Sequence, residues 1–168
     1  IMDYFDNLTT GKQKVREELS NWNGVYHLIG ELENGTPMGS WVKVKGDDTL
    51  AVYHYRNGEQ VGMQMEANEE TTPFEKYYFE FEHGEKNGTK RIYNSEHTLI
   101  ELCDYKNGLR HGRYEKIYGD FGEYLEKGQF FNGSRIGEWI TFKNDKIYSK
   151  EIYVEGGEKK IFLYDDSG

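Results

Sequence analysis

Histidines, a cysteine and paired carboxylates are the side chains of this sequence that could bind a metal or catalyse a reaction. Of the five histidines, only His83 and His111 take similar positions in the repeat described below, both beside predicted turns. A metal site needs further ligands at fixed geometry, and the sequence offers none beside them. We therefore interpret both as solvent-exposed turn residues and predict no metal site.

The carboxylates and the single cysteine form no catalytic pattern either. Asp47-Asp48 and Asp165-Asp166 lie in polar segments and lack the Asp-x-Asp-x-Asp-Gly spacing of a calcium loop. Cys103 lies within an alternating apolar segment, which favours a packed thiol over a nucleophile. No serine lies in a Gly-x-Ser-x-Gly elbow. The sequence thus predicts a protein that is not an enzyme, with no catalytic residue and no cofactor.

Pairs of glycines four positions apart recur along the chain. Their first members follow one another at intervals of 23, 26, 24 and 25 residues, which is the period of a repeat array. No predicted helix follows a pair and no Lys-Ser or Lys-Thr ends one, so they are not phosphate-binding loops. We predict that these glycines are structural turn residues. They are Gly35, Gly39, Gly58, Gly62, Gly84, Gly88, Gly108, Gly112, Gly133 and Gly137.

The first glycine of each pair closes a predicted hairpin turn. Asparagine precedes it in four of the five copies, and His83 does so in the third. Asn-Gly favours a two-residue type I′ turn because both residues accept a positive φ. A large apolar residue lies two positions before the asparagine and alternates with polar residues, as in a half-buried strand. A weaker sixth copy follows at Tyr153 to Gly156.

The register of each hairpin follows by counting outward from its turn. An aromatic ring next to the turn then faces a long polar or basic side chain, and a ring or thiol further out faces the second glycine. The predicted pairs are Tyr55–Gln60, Tyr105–Arg110, Phe130–Arg135, Tyr53–Gly62 and Cys103–Gly112.

The segment from Lys12 to Asn21 differs from the repeats, because it is rich in helix formers and shows no alternation. It predicts a short N-terminal helix with Thr9 or Thr10 as N-cap, covering the first edge of the array. We expect residues 1–23 to form this helical cap and residues 24–168 to form one domain of about six hairpins. The predicted fold is all-β, an elongated antiparallel meander of repeated β-hairpins.

The stretches 105–114 and 130–139 resemble the MORN-type repeat, and more closely the variant found in bacterial YwqK-type antitoxin proteins. The resemblance extends from Gly24 to Phe162. It implies a single layer of β-hairpins that binds proteins, and lipid binding has been proposed for some eukaryotic members. The second and third copies depart from the pattern, because they have Gln64 and Lys90 where the other copies have Trp or Tyr.

Charge and composition restrict the partners. The net charge of −9 argues against nucleic acid and against anionic lipid, so we predict neither nucleic-acid binding nor membrane insertion and consider lipid binding unfavourable. Excess acid suits a basic protein partner, although it also serves solubility alone. The sequence shows no signal peptide and only one cysteine, so we expect a cytoplasmic protein, or an exported one if a targeting segment precedes it.

Aromatic residues are 15% of the chain, more than a thin array can easily bury. Tyr and Trp are enriched at binding hot spots, although each ring here could instead support the stacking of repeats. The predicted protein-binding residues are Trp41, Tyr53, Tyr55, Tyr105, Tyr114 and Trp139.

The function predicted from these features is noncatalytic protein binding. The resemblance implies an antitoxin or immunity protein that binds and neutralises a toxin, and the acidic charge suggests a basic toxin. The alternatives are a structural scaffold or cell-surface interaction protein, an enzyme with an unrecognised cleft, and, last, a lipid-binding protein.

Overall fold

The computed structural model describes residues 11–21, 23–70, 75–154 and 159–164, and every regular element in them is a β-strand. The backbone divides into two compact units, residues 1–85 and 86–168. Within each unit, strands that follow one another along the chain pair antiparallel. The predicted all-β antiparallel meander is therefore confirmed. The proposed N-caps Thr9 and Thr10, the turn of the sixth copy and Asp165-Asp166 lie outside the described residues.

Unit 1 contains seven strands among the described residues, paired in the order β1-β2-β3-β4-β6-β7, and the short β5 also pairs with β4. The strands are β1 Lys12–Asn21, β2 Gly24–Glu33, β3 Thr36–Lys45, β4 Asp48–Arg56, β5 Glu59–Gln60, β6 Gly62–Asn68 and β7 Glu75–Glu82.

Unit 2 pairs its described strands in chain order from β9 to β15, and the short β8, Glu85–Lys86, spans the division between the units. The remaining strands are β9 Gly88–Tyr93, β10 Leu99–Lys106, β11 Leu109–Tyr118, β12 Tyr124–Phe131, β13 Ser134–Lys143, β14 Lys146–Tyr153 and β15 Lys159–Leu163.

The predicted N-terminal helix is wrong, because Lys12–Asn21 forms the strand β1. Its ten residues pair with β2 without a break, from Lys12 opposite Glu33 to Asn21 opposite Gly24. Helix propensity is a weak local preference, whereas pairing with β2 along the whole segment satisfies the backbone groups that face β2. The apolar residues Val15 and Leu19 also fit a strand, since both fall on one face and pair with Gly30 and Tyr26.

The five predicted hairpin turns have the backbone of type I′ turns. The four asparagines and His83 have φ between 46° and 51°, and the glycines that follow have φ between 76° and 85°. The four later turns also bond to the preceding hairpin: for example, the Gly58 amide donates to the Pro37 carbonyl at 3.0 Å, and the Gly133 amide donates to that of Arg110 at 2.9 Å. The turn glycines thus help to hold successive hairpins together.

The predicted register is correct next to the turns, where Tyr55 pairs with Gln60, Tyr105 with Arg110 and Phe130 with Arg135. It is wrong further out. Cys103 pairs with Tyr114 and not with Gly112, while Val52 pairs with Met65, which moves Tyr53 away from Gly62.

A bulge at the second glycine causes this shift in the first, second, fourth and fifth copies. Gly112, with φ +105°, lies in an extra stretch of β11 opposite Asp104, and the Asp104 carboxylate accepts the Arg113 amide at 3.0 Å. At the corresponding place in unit 1, the Gln64 side chain accepts the His54 amide at 2.7 Å and donates to the Val61 carbonyl at 2.8 Å. Side chains therefore satisfy the backbone groups that the bulge leaves unpaired.

The bulge places residues of complementary size opposite one another. Trp41 covers Gly30 and Trp139 covers Gly128 so closely that a Cβ on either glycine would overlap the indole. The fourth copy has Cys103 and Tyr114 at these positions. The second copy has the reverse order, Tyr53 and then Gln64, so its ring comes from the first strand of the hairpin. This explains why Gln64 departs from the aromatic pattern.

Candidate binding surface

Three of the six predicted binding residues line one open groove in unit 1. Trp41 comes from β3, and Tyr53 and Tyr55 come from β4, where alternation places both side chains on one face of the strand. The groove has a volume of about 440 Å³. Its lining residues are Leu19, Leu28, Pro37, Trp41, Lys43, Tyr53, Tyr55, Gln60 and Glu66.

The rings in this groove are held in place by strand pairing. Trp41 pairs with Tyr53 across β3 and β4, and its ring meets the Tyr55 ring edge-on, with centroids 6.4 Å apart. Trp41 is only 3% exposed because it lies on Gly30, while Tyr53 and Tyr55 are half-buried. Trp41 therefore forms the floor, and the two tyrosines present ring surface to solvent.

Two carboxylates give this region its electrostatic character. Lys43 donates to Glu69 at 2.9 Å and lies 4.3 Å from the centroid of the Tyr26 ring. The Tyr26 hydroxyl donates to the other Glu69 oxygen at 2.7 Å, and this bond raises the pKa of Tyr26. Burial raises the pKa of Tyr53 above its ordinary value, and the nearby Glu66 carboxylate raises it further. The ammonium group of Lys43 is thus already paired with Glu69, and the Glu66 carboxylate lies close enough to Tyr53 to raise the pKa of its hydroxyl.

Unit 2 buries two of its three predicted binding residues. Tyr114 is 7% exposed and Trp139 is 2% exposed, and with Cys103 and Phe130 they form the core of this unit. The partly buried Tyr105 packs against that core. The six rings selected from the sequence thus lie in different settings: three line the groove of unit 1, whereas Tyr114 and Trp139 are packed in the core of unit 2 with Tyr105 against it.

Cations of the chain itself cover the aromatic rings of unit 2. The Arg110 guanidinium lies 5.2 Å from the Phe130 centroid, and that of Arg135 lies 3.8 Å from the Trp139 centroid. Both terminal nitrogens of Arg135 also donate hydrogen bonds to the two Glu126 carboxylate oxygens, at 2.9 and 3.3 Å. Burial by itself lowers the pKa of Arg135, but the charge of Glu126 and the hydrogen bonds to Tyr153 and Glu126 together outweigh it, and the pKa is raised. Arg135 is therefore a cation held between a ring and a carboxylate.

Pro37, Gln60 and Glu66 are groove residues that sequence reasoning did not select. Pro37 and Gln60 could have been found by comparing one repeat position across the copies, namely the third residue after each turn asparagine or His83. That position holds Pro37, Gln60, Lys86, Arg110 and Arg135 in the five copies, so the first two copies lack a cation there.

Other chemistry in the described residues is sparse. No group of three or more His, Cys, Asp or Glu side chains in the described ranges is arranged to hold a metal ion. His83 lies in its turn, and His111 contacts Asn132 and the Phe131 ring. Cys103 is buried, and burial raises the pKa of its thiol to about 11. None of the described segments forms a helix that is long and apolar enough to cross a membrane.

Comparison with known proteins gives no relative from which a function could be transferred. No protein-family model matches the chain, and no curated protein matches it. The likeness to MORN-type repeats therefore stays a prediction that rests on the residues quoted above.

Proposed function

We propose that this chain is a noncatalytic, MORN-like protein-binding protein and that the groove of unit 1 contacts its partner. The observation that supports this proposal most directly is the convergence of Trp41, Tyr53 and Tyr55 on one open groove. Tyr and Trp offer large, rigid contact area at low entropic cost, which is why they are common at interface hot spots. The strand pairing of these residues keeps the contact surface formed before the partner arrives.

The partner that best fits the charge of this chain is a basic protein. With a net charge of −9, the chain attracts a cationic partner at long range and accelerates its association. Together with the resemblance to YwqK-type repeats, this favours a bacterial antitoxin or immunity protein. Such a protein neutralises a basic toxin by covering the surface that the toxin uses.

Coexpression tests this function. Genes of the source organism that encode small basic proteins are expressed one at a time, and those that arrest growth are then expressed together with this chain. We expect growth to recover for one toxic product, which should copurify with the chain at fixed stoichiometry. If the chain is well expressed and no toxic product is neutralised, the antitoxin proposal is wrong.

A structural scaffold is the second candidate, and exposed apolar side chains of β15 favour it. Ile161 is 53% exposed and Leu163 is 77% exposed, and such side chains suit contacts in an assembly. Sedimentation of the purified chain separates the two candidates. A scaffold should form large homo-oligomers that Leu163→Ser disrupts, whereas an antitoxin should stay small until its partner is added.

A further inference from the structure

In unit 2, a basic residue at a fixed repeat position lies over the aromatic ring that precedes the turn of the next hairpin. Lys86 lies 5.8 Å from the Tyr105 centroid, and Arg110 lies 5.2 Å from that of Phe130. Each cation is the third residue after a turn His or Asn, and each ring lies two residues before the following turn Asn. A cation over a ring face is attracted by the quadrupole of the ring.

Unit 1 keeps the ring at this position but lacks the cation. Tyr55 corresponds to Tyr105 and Phe130, and the residue that corresponds to the covering cation is Pro37. Tyr55 and Pro37 line the same groove, as does Gln60, the uncharged counterpart in the next copy. Within the described parts of the chain, no lysine or arginine lies over the Tyr55 ring. The groove therefore has an aromatic ring where unit 2 has an aromatic ring covered by a cation.

The groove also contains a carboxylate to balance an incoming positive charge. Glu66 lines it, and across the described residues no lysine or arginine forms an ion pair with Glu66. The nearest groove cation, Lys43, is bound to Glu69 and turned toward Tyr26. Arg135 of unit 2 is an example of a cation bound between a ring and a carboxylate, because its guanidinium lies over the Trp139 ring and donates two hydrogen bonds to Glu126.

We propose that the groove of unit 1 binds an arginine side chain of the basic protein partner, and this inference rests on the proposed function. The guanidinium stacks on Tyr55, between Pro37 and Gln60, and pairs with Glu66. Arginine fits better than lysine because its planar fork stacks on a ring and bonds a carboxylate at the same time, as Arg135 does in this chain.

The test uses the full chain and the peptide acetyl-Gly-Arg-Gly-amide, followed through the aromatic NMR signals of Tyr53 and Tyr55. The matched control peptide carries citrulline, which has the shape of arginine without its charge. We expect the arginine peptide to shift both tyrosine signals in a saturable way, and the citrulline peptide to leave them unchanged. Equal binding of the two peptides would overturn the inference.

Pro37→Arg supplies the groove with a cation from the chain itself, and Gln60→Arg is a second variant of the same kind. Both should weaken peptide binding by about tenfold or more, as should Glu66→Gln, since a desolvated cation–π contact has about that worth. Thr49→Arg adds the same charge at an exposed site of β4 that pairs with Val44, and it should leave binding intact. Unchanged binding in folded Pro37→Arg and Gln60→Arg would overturn the inference.

The same variants separate this inference from the proposed function. If the wild-type chain and Pro37→Arg neutralise a toxin equally well, the arginine site is wrong and the proposed function stands. If the arginine peptide binds as expected and no toxic product is neutralised, the chemistry of the groove stands and the antitoxin function is wrong.

Discussion

At the scale of single residues, two side chains that face each other at a bulge can share one volume. Gly128 leaves room for the Trp139 ring, and Cys103 leaves room for the smaller Tyr114 ring. Close packing makes either side chain intolerant of growth unless its partner shrinks.

A double-mutant cycle tests this complementarity. Gly128→Cys alone should destabilise the protein by about 1 to 3 kcal/mol, because the thiol displaces the Trp139 ring. Gly128→Cys combined with Trp139→Tyr reproduces the Cys103–Tyr114 pair and should recover part of that loss. Urea unfolding of the single and double variants measures the coupling. Strictly additive effects would contradict the complementary packing.

Because the Cys103 thiol is buried, we expect the free energy of unfolding to fall at alkaline pH. Burial raises the pKa of its thiol to about 11, so the folded state favours the protonated form. The sign follows from linkage: this contribution is fully present below the unfolded thiol pKa of about 8.5 and is lost as the pH rises through the folded value. The unfolding midpoint of the wild type should therefore fall more steeply between pH 8 and 11 than that of Cys103→Ala. Parallel curves would contradict this account.

Residue-level reasoning predicted the packed thiol of Cys103 but not its neighbour. The apolar alternation around Cys103 is visible in the sequence, and the side chain is buried. Cys103 pairs with Tyr114 and not with Gly112 because of a bulge, and counting residues outward from the turn does not reveal that bulge. Comparing facing positions across copies could have revealed the bulge, because the unshifted register pairs Gly30 with Gly39 and Gly128 with Gly137, whereas the shifted register gives each of Gly30 and Gly128 a tryptophan.

At the scale of elements, local and nonlocal signals differ in what they predict. The hairpin turns were predictable because Asn-Gly sets its own backbone conformation over two residues. The helix prediction for Lys12–Asn21 was wrong because pairing with β2 is a long-range contact that propensity does not register. Strands were therefore predictable where a turn fixed them, and not at the start of the array.

Asn107 provides a test of turn chemistry. Its φ is 49°, a conformation that asparagine and glycine accept and that alanine resists. Asn107→Ala should destabilise the protein by about 1 kcal/mol, and Asn107→Gly should have a smaller effect. Thermal unfolding measures both, with the exposed neighbour substitution Lys106→Ala as control. Equal stabilities of Asn107→Ala and Asn107→Gly would contradict the left-handed turn.

At the scale of the whole molecule, aromatic content and acidic charge favoured a binding function but did not locate a binding surface. The sequence selected rings by type, and type does not separate the packing role of Trp139 from the groove position of Tyr55. The distinction depends on neighbouring strands: in unit 2, Arg110 and Arg135 lie over Phe130 and Trp139, whereas in unit 1 the position that would cover Tyr55 holds Pro37. Such differences between copies become interpretable only once the register is known.

The measurement that tests the central claim most directly is toxin neutralisation by a groove variant. Tyr53→Ser/Tyr55→Ser removes the two half-buried rings of the groove, and Ile147→Ser/Tyr148→Ser removes exposed side chains of β14 as a control. With both variants shown to be folded and equally expressed, we expect growth protection to be lost for the groove variant and retained for the control. Full protection by the groove variant would contradict the claim that this groove binds the partner.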